Sequence, residues 1–490
     1  MRVLMVTPEA TPFAQTGGLG EVLSALPVEL AALGVEVDVL MPKYRGINPD
    51  NFNITKSNVS IEVTLNAKNV KAGLWEHVGK NGARYGFLEC DDYYDRDYLY
   101  GTPETGDYED NAERFVFLTR AALELALQEG RHYDVFHSHD WQAALTAVYL
   151  RTLYAGEPLL RNSAAVMTIH NLGYQGIFWH LDMPLVGVGW EFFTPKHMEF
   201  HGKLNFLKSG LVFADLINTV SPGYRNEILT SEFGFGLEGI LQEKKDRLSG
   251  ILNGVDYSLW NPQTDLYAAQ SYSAEDLTGK SVCKDELQRL AGLQLNPHKP
   301  LIAVVSRLSS QKGVDIVAEA FDSIVGNDIQ LIVLGTGELQ YHHIFNDLVV
   351  KYPGQVSAFL KYDYSMAHKI FAGSDMILIP SRYEPCGLNQ LYALKYGAVP
   401  IVTATGGLTD TVDEFDVDPE TGTGFKFFPP NAIALERAVL KAIRVYRDQP
   451  EVWKRLMIRG MNKDYSWNRS AREYLALYEK AVSERLTSIE

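Results

Sequence analysis

Two stretches of this sequence place charged side chains directly after an apolar run. In SRLSSQKG, Arg307 and Lys312 follow the run LIAVV. A forked guanidinium and a compact ammonium suit a diphosphate, although basic pairs on protein surfaces are common. In SRYEPCGLNQLYALKYG, Glu384 precedes a helix-like segment, where a carboxylate can accept hydrogen bonds from sugar hydroxyls. The structural alternative is an acid at a helix start, which the helix dipole stabilises by ~0.3–1 kcal/mol.

The turn TGGL occurs twice, near opposite ends of the chain. Gly17 and Gly18 lie in AQTGGLGEV, and Gly406 and Gly407 lie in TATGGLTDTV. Paired glycines between a strand and a helix expose backbone N–H groups, which favours an anion. The two copies therefore predict one anion-binding turn in each of two domains. The GxG of VLGTGEL is a weaker signal and is equally typical of an ordinary strand-to-helix turn.

Histidines cluster in FHSHDWQ and TIHNLGYQG. His137 and His139 alternate along a predicted strand and so share one face, and His170 follows a later strand. A metal site is one interpretation, but no further Cys, His or acid appears with ligand spacing. We therefore interpret Asp140, at the strand end, as a substrate-binding acid. His170 and Asn171 are exposed at their strand end in the same way, with a capping histidine in a turn as the alternative.

Two D-x-D patterns, Asp95/Asp97 and Asp416/Asp418, are compatible with a divalent cation held against a diphosphate. The cations of SRLSSQKG supply that positive charge, so we interpret both patterns as loop acids and expect no metal. The first pattern falls in the tyrosine- and acid-rich segment 91–110, which is predicted to be a long functional loop. The sequence contains neither a GxSxG elbow nor a P-loop.

The elements that must position these residues alternate between apolar strand and helix. The strand-like runs are RVLMVT, VEVDVLMP, YDVFHSHD, AAVMTIHN and LINTVS, and then LIAVVSRL, IQLIVLG, MILIPSR and VPIVTA. Such runs predict parallel sheets covered on both faces. We predict an α/β fold with two doubly wound, Rossmann-like domains, 1–245 and 246–466, facing a central cleft. The residue pattern of 467–490 predicts an amphipathic helix. In this fold class, ligands bind beyond the carboxyl ends of the strands.

Composition excludes several classes of protein. The chain has 490 residues, too many for one ordinary core, and a net charge of −16, which argues against a nucleic-acid or membrane partner. Cys90, Cys283 and Cys386 are far apart and form no CxxC, as expected in a reducing compartment. No apolar run approaches 18 residues, and because Met1 runs directly into the first strand pattern, we expect no signal or transit peptide. We expect a cytoplasmic protein, or a plastid stromal one if the chain is a mature plant-type protein.

In combination, these motifs resemble those of bacterial glycogen synthases and plant starch synthases. TGGLGEV, HSHDW, IHNLGYQG, LNGVD, SRLSSQKG, EPCGLNQLYALKYG and ATGGLTDTV occur in the family's order, and the likeness ends near residue 470. The resemblance implies the two-domain GT-B fold, with a C-terminal helix that crosses back onto the first domain. It implies transfer of glucose from ADP-glucose to the non-reducing end of an α-1,4-glucan, with retention of configuration and without cofactor or metal.

The resemblance also implies roles for individual residues. Arg307 and Lys312 stabilise the departing diphosphate, and Glu384 binds the donor glucose. His170 lies close to the reacting sugar carbon, and Asp140 lies near the acceptor. Tyr100 and Asn171 are assigned to the acceptor side. The other donor-binding residues that it implies are Gln15, Gly17, Gly18, Asn253, Tyr362 (stacked on adenine), Cys386, Gly387, Leu388, Gly406 and Gly407.

Gln15 and Glu21 depart from the family pattern. The family usually has lysine before TGGL and a common aspartate where Glu21 stands. Loss of the lysine removes one cation from the donor site. The alternative hypothesis is therefore a catalytically weakened glucan-binding or scaffold protein on the same fold. A third hypothesis is a phosphorylase of similar two-domain architecture. Such an enzyme would need a pyridoxal phosphate bound to a lysine.

Overall fold

The computed structural model describes residues 1–102, 105–416 and 418–489. Three predicted features include residues outside this range: Pro103 and Glu104 of the loop 91–110, Val417 between the two acids of the second D-x-D pair, and Glu490 at the end of the C-terminal segment. The chain divides into two compact units, Met1–Gly254 with Trp467–Glu490, and Val255–Ser466. Within the described ranges, no helix is both long and apolar enough to cross a membrane.

The first unit is built around a large mixed sheet. The strands of this unit are β1 (Arg2–Val6), β2 (Glu36–Pro42), β3 (Thr55–Leu65), β4 (Lys68–Val78), β5 (Arg84–Glu89), β6 (Gly101–Thr102), β7 (Gly106–Asp107), β8 (Val135–His139), β9 (Ala164–Ile169), β10 (Ile177–Trp179), β11 (Glu199–Phe200), β12 (Lys203–Asn205), β13 (Leu216–Thr219) and β14 (Leu248–Gly250). The main sheet has the order β14-β13-β9-β8-β1-β2-β5-β4-β3. It is parallel from β14 to β5, whereas β4 pairs antiparallel with both β5 and β3. Strands β10, β12 and β11 form a small antiparallel sheet, and β6 pairs with β7.

Helices cover the main sheet of this unit. They are α1 (Gly18–Ala32), α2 (Pro49–Phe52), α3 (Asp91–Tyr94), α4 (Asn111–Gln128), α5 (Asp140–Ala143), α6 (Leu145–Arg151), α7 (Met183–Val186), α8 (Phe206–Phe213), α9 (Pro222–Glu227) and α10 (Glu238–Glu243). Every residue of β8 and of β9 is buried, as expected of central parallel strands that are packed on both faces.

The division between the units differs from the predicted boundary at 245/246. Residues 246–254 belong to the first unit, because β14 pairs in parallel with β13 at the edge of its sheet. The segment LSG that forms β14 is too short to be recognised as a strand from its apolar pattern. Asn253, which the prediction placed in the second domain, therefore belongs to the first unit.

The second unit is a parallel sheet between two helical layers. In chain order its elements are α11 (Thr278–Leu290), β15 (Leu301–Val305), α12 (Val314–Val325), β16 (Gln330–Leu334), α13 (Leu339–Lys351), β17 (Val356–Phe359), α14 (Tyr364–Gly373), β18 (Met376–Ile379), α15 (Asn389–Lys395), β19 (Val399–Thr403), α16 (Gly406–Thr411), β20 (Phe425–Phe427), α17 (Ala432–Asp448) and α18 (Pro450–Met461). The strand order is β17-β16-β15-β18-β19-β20, with parallel pairing throughout. Ile302 and Val304 of β15 join one hydrophobic cluster, and Leu301 and Ala303 join another. Both faces of the sheet are therefore buried.

The last helix, α19 (Trp467–Ile489), belongs to the first unit. Its tyrosines form buried hydrogen bonds to the main sheet. Tyr474 OH accepts from Asn218 Nδ2 at 3.0 Å, and Tyr478 OH lies 2.8 Å from His137 Nδ1. Gly254 approaches the start of the helix so closely that a Cβ there would lie 2.5 Å from the Cα of Trp467.

Candidate active site

The first glycine turn, at the start of α1, is held by a buried carboxylate that the sequence analysis did not identify. Glu9 is 3% exposed and accepts hydrogen bonds from Thr16 N at 2.6 Å, Thr16 Oγ1 at 2.5 Å and Gly17 N at 3.4 Å. The hydroxyl of Tyr100 donates to the same carboxylate at 2.5 Å. The N–H groups of Thr16 and Gly17 are therefore already bound by an internal carboxylate, and binding of an external anion by the glycine turn stays a prediction. An acid placed just after the end of β1 was the available signal.

Gln15 is tied to this turn by its side-chain amide. Its Nε2 donates to Gly17 O at 3.3 Å and to Glu21 Oε1 at 3.2 Å, and its Oε1 accepts from Thr11 Oγ1 at 3.1 Å. Both residues that depart from the family pattern, Gln15 and Glu21, are thus hydrogen-bonded to each other.

A cavity of ≈ 460 Å³ lies beside the turn within the first unit. Gln15, Thr16, Tyr98, Tyr100 and Asp107 are among the residues that line it. The structure therefore brings a predicted donor-side residue, Gln15, and a predicted acceptor-side residue, Tyr100, to one concave surface.

Three histidines lie together: His137 in the middle of β8, His139 at its end and His170 directly after β9. His139 Nδ1 is 3.0 Å from His170 Nε2, and His137 Nε2 is 2.7 Å from Thr168 Oγ1. Burial lowers the pKa of both His137 and His170 to about 3, and that of His139 well below its usual value. All three imidazoles are therefore neutral at physiological pH. Among the described residues, no group of three or more His, Cys, Asp or Glu side chains is arranged to hold a metal.

Asp140 fixes the loop that carries His170. Its backbone has a left-handed φ of 57°, and its Oδ1 accepts a hydrogen bond from the backbone N–H of His170 at 2.7 Å. The backbone N–H of Asn171 also bonds this carboxylate, while Asn171 Oδ1 accepts from Gly173 N at 3.0 Å. Burial nevertheless raises the pKa of Asp140 to about 7. The acid predicted to bind substrate is therefore already hydrogen-bonded to the neighbouring strand end.

This raised pKa predicts a pH dependence of stability that Asp140→Asn removes. The folded protein binds the proton of Asp140 more tightly than the unfolded chain does, because an aspartate in an unfolded chain has a pKa of ~3.9. The carboxyl therefore contributes most to stability below the unfolded pKa, and that contribution is lost as the pH rises through about 7. We expect the free energy of unfolding of the wild type to fall relative to that of the variant across this interval. Urea denaturation of both proteins at several pH values measures it, and a pH-independent difference would contradict the prediction.

In the second unit, Lys312 and Glu384 form an ion pair. Lys312 lies in the 3₁₀ turn Ser310–Lys312 that follows β15, and its Nζ donates to Glu384 Oε2 at 2.6 Å. Ser381 Oγ donates to the same oxygen at 2.9 Å, and Glu384 is 7% exposed. Arg307 lies between β15 and this turn and is exposed. The structure thus brings together the carboxylate predicted for the sugar and one of the cations predicted for the diphosphate.

The second glycine turn packs directly against the EPCG loop. Gly407 N donates to the main-chain oxygen of Glu384 at 3.1 Å. A Cβ on Gly407 would lie only 2.2 Å from the carbonyl oxygen of Cys386, so no larger residue fits. Gly387 and Gly406 both have left-handed φ values, 74° and 43°. These predicted donor-site residues therefore form one contiguous backbone surface.

The other three predicted donor-site residues differ in position and burial. Tyr362 follows β17 and is 76% exposed. Leu388 is half-buried and immediately precedes α15. Asn253 lies in the first unit and is 6% exposed, and its Oδ1 has no hydrogen-bond partner within the described ranges.

The acids of both D-x-D patterns have ion-pair or hydrogen-bond partners elsewhere in the chain. Arg45 binds Asp95 through Nε at 2.8 Å and Asp97 through an Nη at 2.7 Å. In the second pair, the first acid pairs with Lys441, and the second accepts hydrogen bonds from the loop that follows it. These contacts fit the interpretation of both patterns as loop acids.

Two protein-family models match this chain, and similar proteins are known from bacteria. The model for the starch synthase catalytic domain matches residues 2–243, and that for glycosyl transferases group 1 matches residues 288–455. The chain is 45% identical to a glycogen synthase of Koribacter versatilis and 41% identical to one of Thermotoga maritima, over 99% of both chains in each case.

Solved structures give the same result. The catalytic domain of starch synthase IV from Arabidopsis thaliana, bound to ADP and acarbose, superposes with a TM-score of 0.92 at 32% identity. The superposition covers 98% of this chain and 99% of that one. A sucrose-phosphate synthase from Thermosynechococcus elongatus, 19% identical with a TM-score of 0.62, shares the fold.

These findings confirm the predicted GT-B fold with its two Rossmann-like domains, and the prediction that the chain is a glycosyltransferase. None of the relatives described above supports the scaffold or phosphorylase alternatives. The chain therefore belongs to the family of glycogen and starch synthases.

Proposed function

We propose that this enzyme transfers glucose from ADP-glucose to the non-reducing end of an α-1,4-glucan, with retention of configuration. Its bacterial relatives are glycogen synthases, and the starch synthase structure contains ADP and acarbose. The observation that carries the proposal is the pair formed by Lys312 and Glu384 beside the second glycine turn. It combines a cation suited to a phosphate with a carboxylate suited to sugar hydroxyls.

The charges of this site fit the charges that develop during glucosyl transfer. Breaking the bond to the diphosphate builds positive charge on the anomeric carbon and negative charge on the leaving phosphate. Lys312 and Arg307 interact more strongly with that phosphate in the transition state than in the ground state, which is the condition for catalysis. Protein cations then take the place of a metal, and the proposal includes neither metal nor cofactor.

We propose that His170 makes a polar contact with the sugar. We do not assign it a role as a proton-donating acid. With a pKa of about 3, His170 is neutral at physiological pH. Asp140 is hydrogen-bonded to the backbone of His170 and Asn171, so we assign it the role of holding the acceptor-side loop. No acid of the sites described above is placed as a nucleophile, unlike the paired acids of retaining glycosidases. We therefore propose front-face transfer, in which the leaving phosphate takes the proton of the acceptor hydroxyl.

Incorporation of radiolabelled glucose into glycogen primer tests the proposal. ADP-glucose and UDP-glucose are compared in parallel, with and without EDTA. We expect incorporation from ADP-glucose to exceed that from UDP-glucose and to survive chelation. Absence of incorporation would favour the scaffold alternative, and loss of activity in EDTA that Mg²⁺ restores would contradict the metal-free site.

A cytoplasmic location stays a prediction. The glycogen synthases that this chain resembles come from bacteria, which supports the cytoplasm over a plastid.

Gln15→Lys is expected to lower the KM for ADP-glucose by about threefold to tenfold. A charge-assisted bond to the diphosphate is worth ~1.5–3 kcal/mol against ~0.5–1.5 kcal/mol for a neutral one, and ~1.4 kcal/mol is tenfold in affinity. Glu21 lies 3.2 Å from the present amide and will compete for the new ammonium. Steady-state kinetics of the variant, with and without Glu21→Gln, measure the effect. The KM for glucan serves as the control, and an unchanged KM for ADP-glucose in both variants would mean that residue 15 does not face the donor.

A further inference from the structure

Two imidazoles meet where β8 and β9 end. His139, the last residue of β8, is fully buried, and its Nδ1 lies 3.0 Å from Nε2 of His170. The two ring centroids are 5.3 Å apart, with 36° between the ring planes. Because both rings are neutral, a single proton lies between the two nitrogens, so one ring donates and the other accepts.

The surroundings of His139 decide the direction of this hydrogen bond. Its other nitrogen, Nε2, is buried and has no hydrogen-bond partner among the described residues. A buried N–H without an acceptor is rarer in folded proteins than a buried lone pair without a donor. The proton of His139 therefore belongs on Nδ1, because the opposite tautomer would leave an orphaned N–H in the core.

The tautomer of His139 determines that of His170. If His139 donates, Nε2 of His170 is the acceptor, and the proton of His170 must be on Nδ1. The backbone of His170 is fixed independently by Asp140, whose Oδ1 accepts the His170 N–H at 2.7 Å. The edge of His170 that faces away from His139 therefore presents an N–H donor at the strand end.

We propose that His139 is a positioning residue that acts through His170. It holds His170 in the Nδ1–H tautomer, so that this ring donates a hydrogen bond to a hydroxyl of the sugar being transferred. The identity of the ligand rests on the proposed function, whereas the tautomer is a property of the free protein and can be measured without substrate.

Three variants separate this role from simple packing. His139→Leu removes the donor, whereas His139→Asn places an amide N–H₂ at the branch point where Nδ1 stood and can still donate. His137→Leu is the matched control, because His137 lies on the same buried strand but is bonded to Thr168 and Tyr478. We expect kcat to fall about tenfold in His139→Leu, as for the loss of one hydrogen bond, and by less than about threefold in His139→Asn. The control is expected to lower the melting temperature without changing the tautomer of His170.

Nitrogen-15 NMR of histidine-labelled protein reads the tautomer directly. The signal of His170 is assigned by its loss in His170→Gln, and we expect Nδ1 to carry the proton in the wild type. Protonation on Nε2 in the wild type would overturn the proposal even if His139→Leu failed to fold. So would an unchanged tautomer and kcat in a folded His139→Leu, or an equal loss of kcat in the Leu and Asn variants. A wild type that incorporates no glucose would contradict the proposed function and leave the tautomer measurement valid.

Discussion

Replacing Glu384 by glutamine is expected to lower kcat by about thirtyfold to a thousandfold while ADP still binds. The carboxylate is assigned to the donor sugar, and loss of one charged group from a transition-state site typically costs ~2–4 kcal/mol. The second glycine turn is attached to Glu384 through its main-chain oxygen, which accepts from Gly407 N at 3.1 Å. Glutamine has the same size and leaves this backbone contact in place.

Calorimetric titration with ADP and the incorporation assay measure the two effects separately. Ser381→Ala is the matched control, because it removes an uncharged donor 2.9 Å from the same carboxylate oxygen and leaves the carboxylate itself in place. We expect it to lower kcat by less than Glu384→Gln does, because the charge assigned to the donor sugar is retained. If Glu384→Gln no longer binds ADP, the side chain holds the loop together, and the interpretation of Glu384 as a structural acid is correct.

Arg307→Ala and Lys312→Ala are each expected to lower kcat by about as much as Glu384→Gln does. Of these two variants, only Lys312→Ala should also destabilise the protein. Each variant removes a cation assigned to the leaving diphosphate, worth ~2–4 kcal/mol in the transition state. Arg307 is exposed, whereas Lys312 is paired with a carboxylate that is almost fully buried. Removing one partner of a buried pair costs about 3–5 kcal/mol, an upper bound here because both side chains retain some solvent contact.

Kinetics and thermal unfolding of the two variants test this difference. The KM for glucan should change little in either. The double variant Lys312→Met/Glu384→Gln should recover stability relative to Lys312→Ala, because it leaves no uncompensated charge, and it should remain inactive. A kcat like that of the wild type in both single variants would rule out the diphosphate assignment.

Periodicity alone predicted much of the fold. The apolar runs that became β1, β8, β9, β15, β18 and β19 have four to six residues, almost all of them buried, so their pattern is strong. The end of the first unit was harder to place, because β14 has only three residues and is recognisable only by its pairing with β13. Short edge strands carry little information in their own sequence.

The sequence by itself determined which residue types stand at the ends of strands: the two glycine turns, the basic pair of SRLSSQKG and the acid of EPCG. Only the tertiary structure decided which of them meet. Lys312 pairs with Glu384 because β15 and β18 are neighbours in the sheet, and His139 meets His170 because β8 lies beside β9. Glu9, which no motif marked, accepts hydrogen bonds from the N–H groups of Thr16 and Gly17, because the chain folds back after β1. The two strand-end pairings join residues that are 72 and 31 positions apart in the chain, and strand order, which local pattern does not encode, determines them.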